Sequence, residues 1–227
     1  MAASICAPVQ PSRVSNWSLS HGKRWMDVIA ALVGLLFLSP LMCVIALIIL
    51  ITSGKPILFR QWRIGRNGRQ FRLLKFRTMR VSPRGDGPGL TQSGDARITP
   101  IGLCLRRWKL DELPQLFNVL NGEMTLVGPR PDLEEFWLEA TAADRSVLVL
   151  TPGLTGAASL TFSDEECLLA QVPQERLTQY YLEQVLPDKA RLDMEYAERA
   201  TFRSDCSILV RTLLVPFCQR RDEKGTR

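Results

Sequence analysis

Between Asp27 and Lys55 the chain carries no charge, and Val28 to Thr52 is a 25-residue apolar run interrupted only by Ser39, Pro40 and Thr52 itself. As a helix this run would be about 37 Å long at ~1.5 Å per residue, more than the ~30 Å of a bilayer's hydrocarbon core. It is too long for a secretory signal, and no small-residue cleavage site follows it. A soluble core helix of such length and uniformity would need apolar partners all round, so the run predicts a membrane segment and fixes one end of the fold. Proline at position 40 removes a helical hydrogen bond and clashes with the preceding turn, so Ser39-Pro40 is the expected kink or break. Both flanks are basic: Lys23 and Arg24 before the run, Lys55, Arg60 and Arg63 after it. Cations favour the cytoplasmic side. Two arrangements meet these facts: a single kinked span, or a re-entrant helix that turns at Ser39-Pro40 and returns to the side it entered.

The remaining charge is polarised. Residues 55–109 hold fourteen Lys and Arg against two acids, a balance of +12, and residues 110–227 hold twelve bases against twenty acids. A basic block beside a membrane segment points to phosphates, whether lipid head groups, nucleotides or nucleic acid. Six scattered cysteines with no C-x-x-C pair argue against a zinc ribbon or a disulfide framework. A single histidine, His21, excludes a histidine-based triad and a multi-histidine metal site.

Along the chain, residues 1–22 are rich in Ser, Ala and Pro and read as a flexible tail; residues 23–54 form the membrane helix. Residues 55–218 form the catalytic domain, and residues 219–227 a charged tail. The expected class is α+β: a mostly helical domain with a small β-hairpin. The hairpin is read from two partly alternating strands around Gly65–Gly68, with Asn67-Gly68 as the turn signal. Residues 81–100, with four glycines and three prolines, read as a long loop that could act as a lid. Leu110, Leu113, Leu116, Phe117 and Leu120 recur at helical spacing, ended by Asn121-Gly122. A helix that includes Glu134 to Glu139 is expected next. Residues 174–200 also read as helical, broken at Pro187, with Tyr180, Tyr181, Leu192 and Tyr196 as core candidates. Ser163-Asp164-Glu165-Glu166 reads as an N-cap pattern. Residues 205–218 read as an amphipathic helix in the membrane surface.

Asp111 and Glu112 follow three cations, Arg106, Arg107 and Lys109, and precede the rigid Gly128-Pro129-Arg130-Pro131. Adjacent carboxylates among arginines suit a phosphate ester and a divalent metal. Asp111 as a plain helix cap, with solvated cations around it, explains the same residues locally. Neighbouring side chains on a helix diverge by about 100°, so the two carboxylates should do different work. Lys75 and Arg77, either side of Phe76, are placed to reach a diphosphate or to hold anionic lipid.

These stretches together resemble the bacterial sugar transferases, the monotopic phosphoglycosyl transferases. The resemblance is carried by Lys23-Arg24-x-x-Asp27, Ser39-Pro40, Lys75-Phe76-Arg77-Thr78-Met79, Leu110-Asp111-Glu112-Leu113-Pro114-Gln115-Leu116, Leu126-Val127-Gly128-Pro129-Arg130-Pro131 and Thr151-Pro152-Gly153-Leu154-Thr155-Gly156, in the family's order. It implies a re-entrant helix broken at Ser39-Pro40, in the bacterial inner membrane, with the active site on the cytoplasmic face. It implies transfer of a sugar-1-phosphate from a UDP-sugar to polyprenyl (undecaprenyl) phosphate, releasing UMP, to start a surface glycan. Asp111 would be the covalent nucleophile, Glu112 the ligand of a required Mg²⁺, and Lys75, Arg77, Arg106, Arg130 and Pro131 the substrate- and phosphate-binding residues. The partners implied are UDP-sugar, polyprenyl phosphate and anionic membrane lipid, and no nucleic acid. One departure stands out. Where many members carry Trp-Ala-Gln and then Asn-Gly-Arg, this chain reads Ala157 to Glu166, an acidic segment without the arginine that resembles one branch of the family, so the family's nucleotide or sugar recognition at this loop does not carry over. The chain also reads as a catalytic unit without the further membrane helices of long members. An inactive membrane scaffold and a membrane-tethered basic binding module are the alternatives; neither gives Asp111-Glu112 a role.

Overall fold

The computed structural model describes residues 14–80, 90 and 94–225, with side chains to residue 215. The elements run in order α1 (His21–Ser53), β1 (Leu58–Ile64), β2 (Gln70–Phe76), α2 (Pro100–Arg107), α3 (Gln115–Asn121), β3 (Thr125–Val127), α4 (Glu134–Glu139), β4 (Gly153–Thr155), α5 (Ala157–Thr161), α6 (Glu165–Leu169), α7 (Leu177–Tyr180), α8 (Leu186–Arg199) and α9 (Phe202–Gly225). The structure is mostly helical, with two small two-stranded sheets: antiparallel β1–β2 and parallel β3–β4. The hairpin pairs Leu58 with Phe76 and Ile64 with Gln70, and its turn uses Asn67 at φ 57°, a left-handed conformation that Asn tolerates.

The long apolar helix is not surrounded by protein. One face, at Lys23, Asp27, Ala31, Ile45 and Ile49, is buried. Ala31, Leu35 and Leu38 pack with Leu116 and Val119, whereas Met42, Ile45, Ala46 and Ile49 pack with Phe76 and Leu105. The opposite face exposes Trp25, Ile29, Leu36, Phe37, Leu47 and Ile51. An uninterrupted apolar face of this size does not stay in water. Helical structure runs through Ser39-Pro40 without an unwound segment, so of the kink or break expected there the outright break is excluded. Pro40 has no N–H for the carbonyl of Leu36, and the Ser39 hydroxyl donates to that oxygen instead at 3.1 Å.

Three charged residues lock the start of α1 to the domain. Lys23 pairs with Asp205, which is fully buried and also accepts from Trp17 Nε1 at 2.9 Å and the Tyr196 hydroxyl at 2.6 Å. Arg24 donates to the carbonyls of Val119 and Leu120, at the C-terminus of α3. Asp27 accepts from Thr125 Oγ1 at 2.6 Å and from Leu126 N at 3.0 Å. Residues 14–20 are part of this assembly rather than the loose tail expected through residue 22. Ser15 N donates to Ala197 O, and Ser20 caps α1 by accepting from Lys23 N; residues 1–13 lie outside the described residues.

Two further expectations change. Pro187 does not break the last third of the chain. A π-helical turn at Tyr181–Val185 runs directly into α8, placing Pro187 in the first turn of α8, where the wider preceding turn makes room for a residue with no N–H to donate. Tyr181 is a core residue as expected, packed on Phe136. The charged tail from residue 219 continues α9 as helix to Gly225. Most of the expected lid, 81–89 and 91–93, lies outside the described residues.

Candidate active site

The site is built from the hairpin, the turn ahead of α3, and two glycine loops. Thr99 caps α2, which carries Arg106. Lys109 then takes a left-handed conformation, φ 55°, and reverses the chain into a 3₁₀ turn at Leu110–Glu112. Asp111 and Glu112 are therefore on this turn, just ahead of α3 rather than in its first turn. Asn118 of α3 ties the turn to the hairpin: its Oδ1 accepts from Leu74 N at 3.1 Å and its Nδ2 donates to Arg72 O at 2.8 Å. Lys75 is thereby set opposite Glu112.

Arg130 is placed by crossing glycines. Gly128 N donates to Thr155 O, and Gly153 N donates to Pro129 O. A Cβ on Gly153 would lie 2.2 Å from Gly128 N, and one on Gly156 2.2 Å from Gly128 O. Only glycine lets these backbones meet, so the two motifs act as one support, with Arg130-Pro131 projecting from it.

Asp111 and Glu112 are 6% and 8% exposed, yet their surroundings differ. Lys75 Nζ donates to Glu112 Oε1 at 2.8 Å and Arg130 Nη2 donates to the same oxygen at 2.6 Å. Burial alone would raise the Glu112 pKa, but Arg130 and Lys75 outweigh it and hold the carboxyl well below its ordinary range. Asp111 takes part in no described side-chain hydrogen bond or salt bridge. Burial pushes its pKa up, with Lys75 and Arg106 pulling the other way and Glu112 adding to the rise. Adjacent carboxylates pushed apart in this way are suited to separate roles.

Arg106 donates through Nε to Thr78 Oγ1 at 3.0 Å and through Nη1 to Glu166 Oε1 at 3.2 Å. Lys75, Arg106, Arg130, Asp111, Glu112 and Pro131 all line one open cavity of about 1820 Å³, whose rim reaches Ser39, Met42 and Cys43 of α1. That exceeds the roughly 300–1,000 Å³ of a common small-molecule site.

Arg77 lines the cavity wall, but its guanidinium is turned away to the end of α1. It donates to the carbonyls of Ser53, Gly54 and Lys55, the last at 3.0 Å. A cation on the terminal carbonyls of a helix favours the dipole and satisfies orphan acceptors. Arg77 fastens the end of α1 as Lys23, Arg24 and Asp27 fasten its start.

Sequence reasoning missed part of the cavity wall. Glu165 and Glu166 read as helix-capping acids, but the α6 N-cap makes no side-chain bond. Glu165 binds Lys189 instead, at 2.7 and 2.8 Å, and Glu166 binds Arg106. Lys189 sits on the buried face of α8 with Leu186, Ala190 and Asp193. A lysine at an inward helical position is the one sequence signal that could have exposed the pairing.

The described residues hold no cluster of three metal-ligating side chains. Mg²⁺ needs only one or two protein carboxylates when substrate phosphates and water complete its shell. The Glu112 oxygen that neither Lys75 nor Arg130 engages, and the Asp111 carboxylate, meet that requirement.

The sequence profile described as "Bacterial sugar transferase" matches residues 18–219. The chain belongs to the bacterial sugar transferase family. It is 39% identical over 144 residues to the UDP-N-acetylgalactosamine-undecaprenyl-phosphate N-acetylgalactosaminephosphotransferase of Aeromonas hydrophila, covering 61% of this chain and 33% of that protein. It is 41% identical over 114 residues to a putative undecaprenyl-phosphate N-acetylgalactosaminyl 1-phosphate transferase of Bacillus subtilis, covering 50% and 64%. It is 43% identical over 143 residues to the UDP-glucose:undecaprenyl-phosphate glucose-1-phosphate transferase of Caulobacter vibrioides, covering 61% and 53%. The matches span about a third to two thirds of the length of these relatives.

Proposed function

We propose that this sugar transferase moves a sugar-1-phosphate from a UDP-sugar to undecaprenyl phosphate, through a covalent intermediate on Asp111. The observation that carries the reading is the asymmetry of the carboxylate pair: Glu112 is bound by two cations, while its buried neighbour Asp111 faces the cavity with no described hydrogen bond. An Asp111 oxygen attacks the phosphorus that bears the sugar. The bond from that phosphorus to the bridging oxygen breaks, and UMP leaves with the electron pair. An oxygen of the lipid phosphate then attacks the same phosphorus and the Asp111 carboxylate is released. Both steps bring anions together, so the chain's contribution is positive charge fixed in advance: Arg106 beside Asp111, and Lys75 with Arg130 across Glu112. Asp111 and Glu112 are the groups that would hold Mg²⁺, which when bound supplies further neutralisation of the diphosphate. The size of the cavity and its rim on α1 support use by a water-soluble donor and a lipid acceptor in turn.

We further infer that α1 enters and leaves on the cytoplasmic face of the inner membrane. A span would put its ends on opposite sides of the bilayer, but residues before and after Pro40 rest on the same domain. Cysteines placed at residues 22 and 55 should label from the same side; labelling from opposite sides would overturn this topology.

The test of the reaction is UMP release by detergent-solubilised protein given magnesium, undecaprenyl phosphate and a panel of UDP-sugars, with Asp111→Asn run in parallel. Release with one donor, abolished in the variant, is the expected result. Equal release by the variant would refute the covalent role.

A further inference from the structure

The acidic segment at α6 is the part of the cavity wall to which the proposed chemistry gives no work. Its two glutamates are differently arranged. Glu165 gives both oxygens to Lys189 Nζ. The Lys189 side chain is 8% exposed and lies 5.9 Å from the Phe162 ring centroid and 5.0 Å from that of Tyr181. That contact fixes α6 against α8. Glu166, the next residue, is turned into the cavity, and its side chain is 50% exposed. Arg106 engages Oε1, and no described hydrogen bond reaches Oε2. The same guanidinium is held at Nε by Thr78 and bears on the charge of Asp111. Glu166 thus stands one guanidinium away from the reacting carboxylate, on a support that does not depend on substrate.

An ionised carboxylate only accepts hydrogen bonds. It repels phosphate, so Glu166 has nothing to offer the diphosphate. A sugar nucleotide presents hydroxyl donors at two places, the ribose and the transferred sugar. We propose that Glu166 is a specificity-determining residue that accepts a donor hydroxyl, the 2′-hydroxyl of the ribose or the 2- or 4-hydroxyl of the sugar, through its second oxygen, while Arg106 keeps it in position. The inference rests on the reading that this cavity binds a sugar nucleotide. The α6 segment would then select the donor next to the site of transfer. Recognition by hydrogen bonding discriminates strongly, because an analogue lacking the hydroxyl leaves a partly desolvated acceptor unpaired.

The experiment compares the full chain with Glu166→Gln and Glu166→Ala, measuring UMP release and equilibrium donor binding. The donors are UDP-glucose, UDP-galactose, UDP-N-acetylgalactosamine and the 2′-deoxyribose form of UDP-glucose. For the preferred donor, kcat/KM should fall roughly tenfold or more. The ratio of variant to parent should return towards one for the donor lacking or inverting the contacted hydroxyl. That donor is a sugar epimer if the sugar is read, and the 2′-deoxy compound if the ribose is read. An equal loss with all four donors would mean that Glu166 only positions Arg106, and would overturn the proposal, as would no loss. If the parent binds donors without releasing UMP, the transferase reading fails and the ratios of dissociation constants still decide the role of Glu166. If it binds none of them, both fail.

Discussion

Replacing Asp193 by Asn should make this protein more stable, and the gain should grow with pH. Asp193 is buried on α8, where Oδ1 accepts from Ala158 N at 3.0 Å. Burial pushes its pKa from 3.8 up to about 7; the Ala158 hydrogen bond and Lys189 oppose the rise, and Asp132 adds to it. Below about pH 4 the carboxyl is protonated in both folded and unfolded chains and has no effect on stability. Between there and about pH 7 the folded state holds a proton that the unfolded state has lost, so stability declines as pH rises. At about 1.4 kcal/mol per unit the full loss is about 4 kcal/mol, of which roughly 2.6 kcal/mol falls between pH 5 and pH 8. Asparagine keeps the acceptor for Ala158 and removes the charge. Any packing offset it introduces is the same at every pH. A domain of this size moves by roughly 2–4 °C in Tm per kcal/mol. The Tm of the variant relative to the parent should therefore rise by about 5–10 °C from pH 5 to pH 8. Thermal unfolding of detergent-solubilised protein, followed by tryptophan fluorescence at a fixed scan rate, measures it. Parallel profiles for the two proteins would show that Asp193 is ionised in the folded state at low pH, and the reasoning would be wrong.

Gly153→Ala should cost about 3 kcal/mol or more and abolish UMP release, because its Cβ has backbone at 2.2 Å; Gly54→Ala has open space around it, but φ 72° with ψ −167° is backbone that essentially only glycine adopts, so it should still cost about 2–3 kcal/mol. Arg77→Met should lower stability by roughly 1.5–3 kcal/mol by stripping the carbonyls at the end of α1 of their donor. A changed donor KM at unchanged Tm would instead make Arg77 a phosphate ligand. The raised pKa of Asp111 predicts that UMP release declines on the acid side at a pH above the ordinary aspartate range. A profile that stays flat down to that range counts against Asp111 as the ionised nucleophile.

What could be read from sequence followed the range of the signals involved. Periodicity and turn residues are local, so α1, the hairpin, α3 with its Gly122 cap at φ 81°, and α4 were all legible. Asp111, Glu112, Lys75, Arg106 and Arg130, which line one cavity, were picked out together by the family motifs that contain or adjoin them; clustered charge alone left a plain helix cap as an equal explanation. The partners of individual charges were not legible. Arg77 is two residues from Lys75, yet one faces helix carbonyls and the other a carboxylate. The choice was made by where the end of α1 docks, more than twenty residues away. Glu165 and Glu166 fit a local capping pattern, and the only hint of a distant partner was Lys189 at an inward helical position. At Pro187 the π-turn that absorbs the proline is set by packing of Tyr181 and Val185, not by composition.

The way α1 is fastened bears on how the protein can be handled. Its inner face completes two of the three apolar clusters among the described residues, and its ends are fixed by Lys23, Arg24, Asp27 and Arg77. Deleting the helix to obtain a water-soluble fragment would open those clusters and leave Asp205 buried without its lysine. The route to a detergent-free form is to keep the helix and repaint its outer side, exchanging residues such as Ile29, Leu36, Phe37, Leu47 and Ile51 for polar ones while Ala31, Ile45 and Ile49 stay.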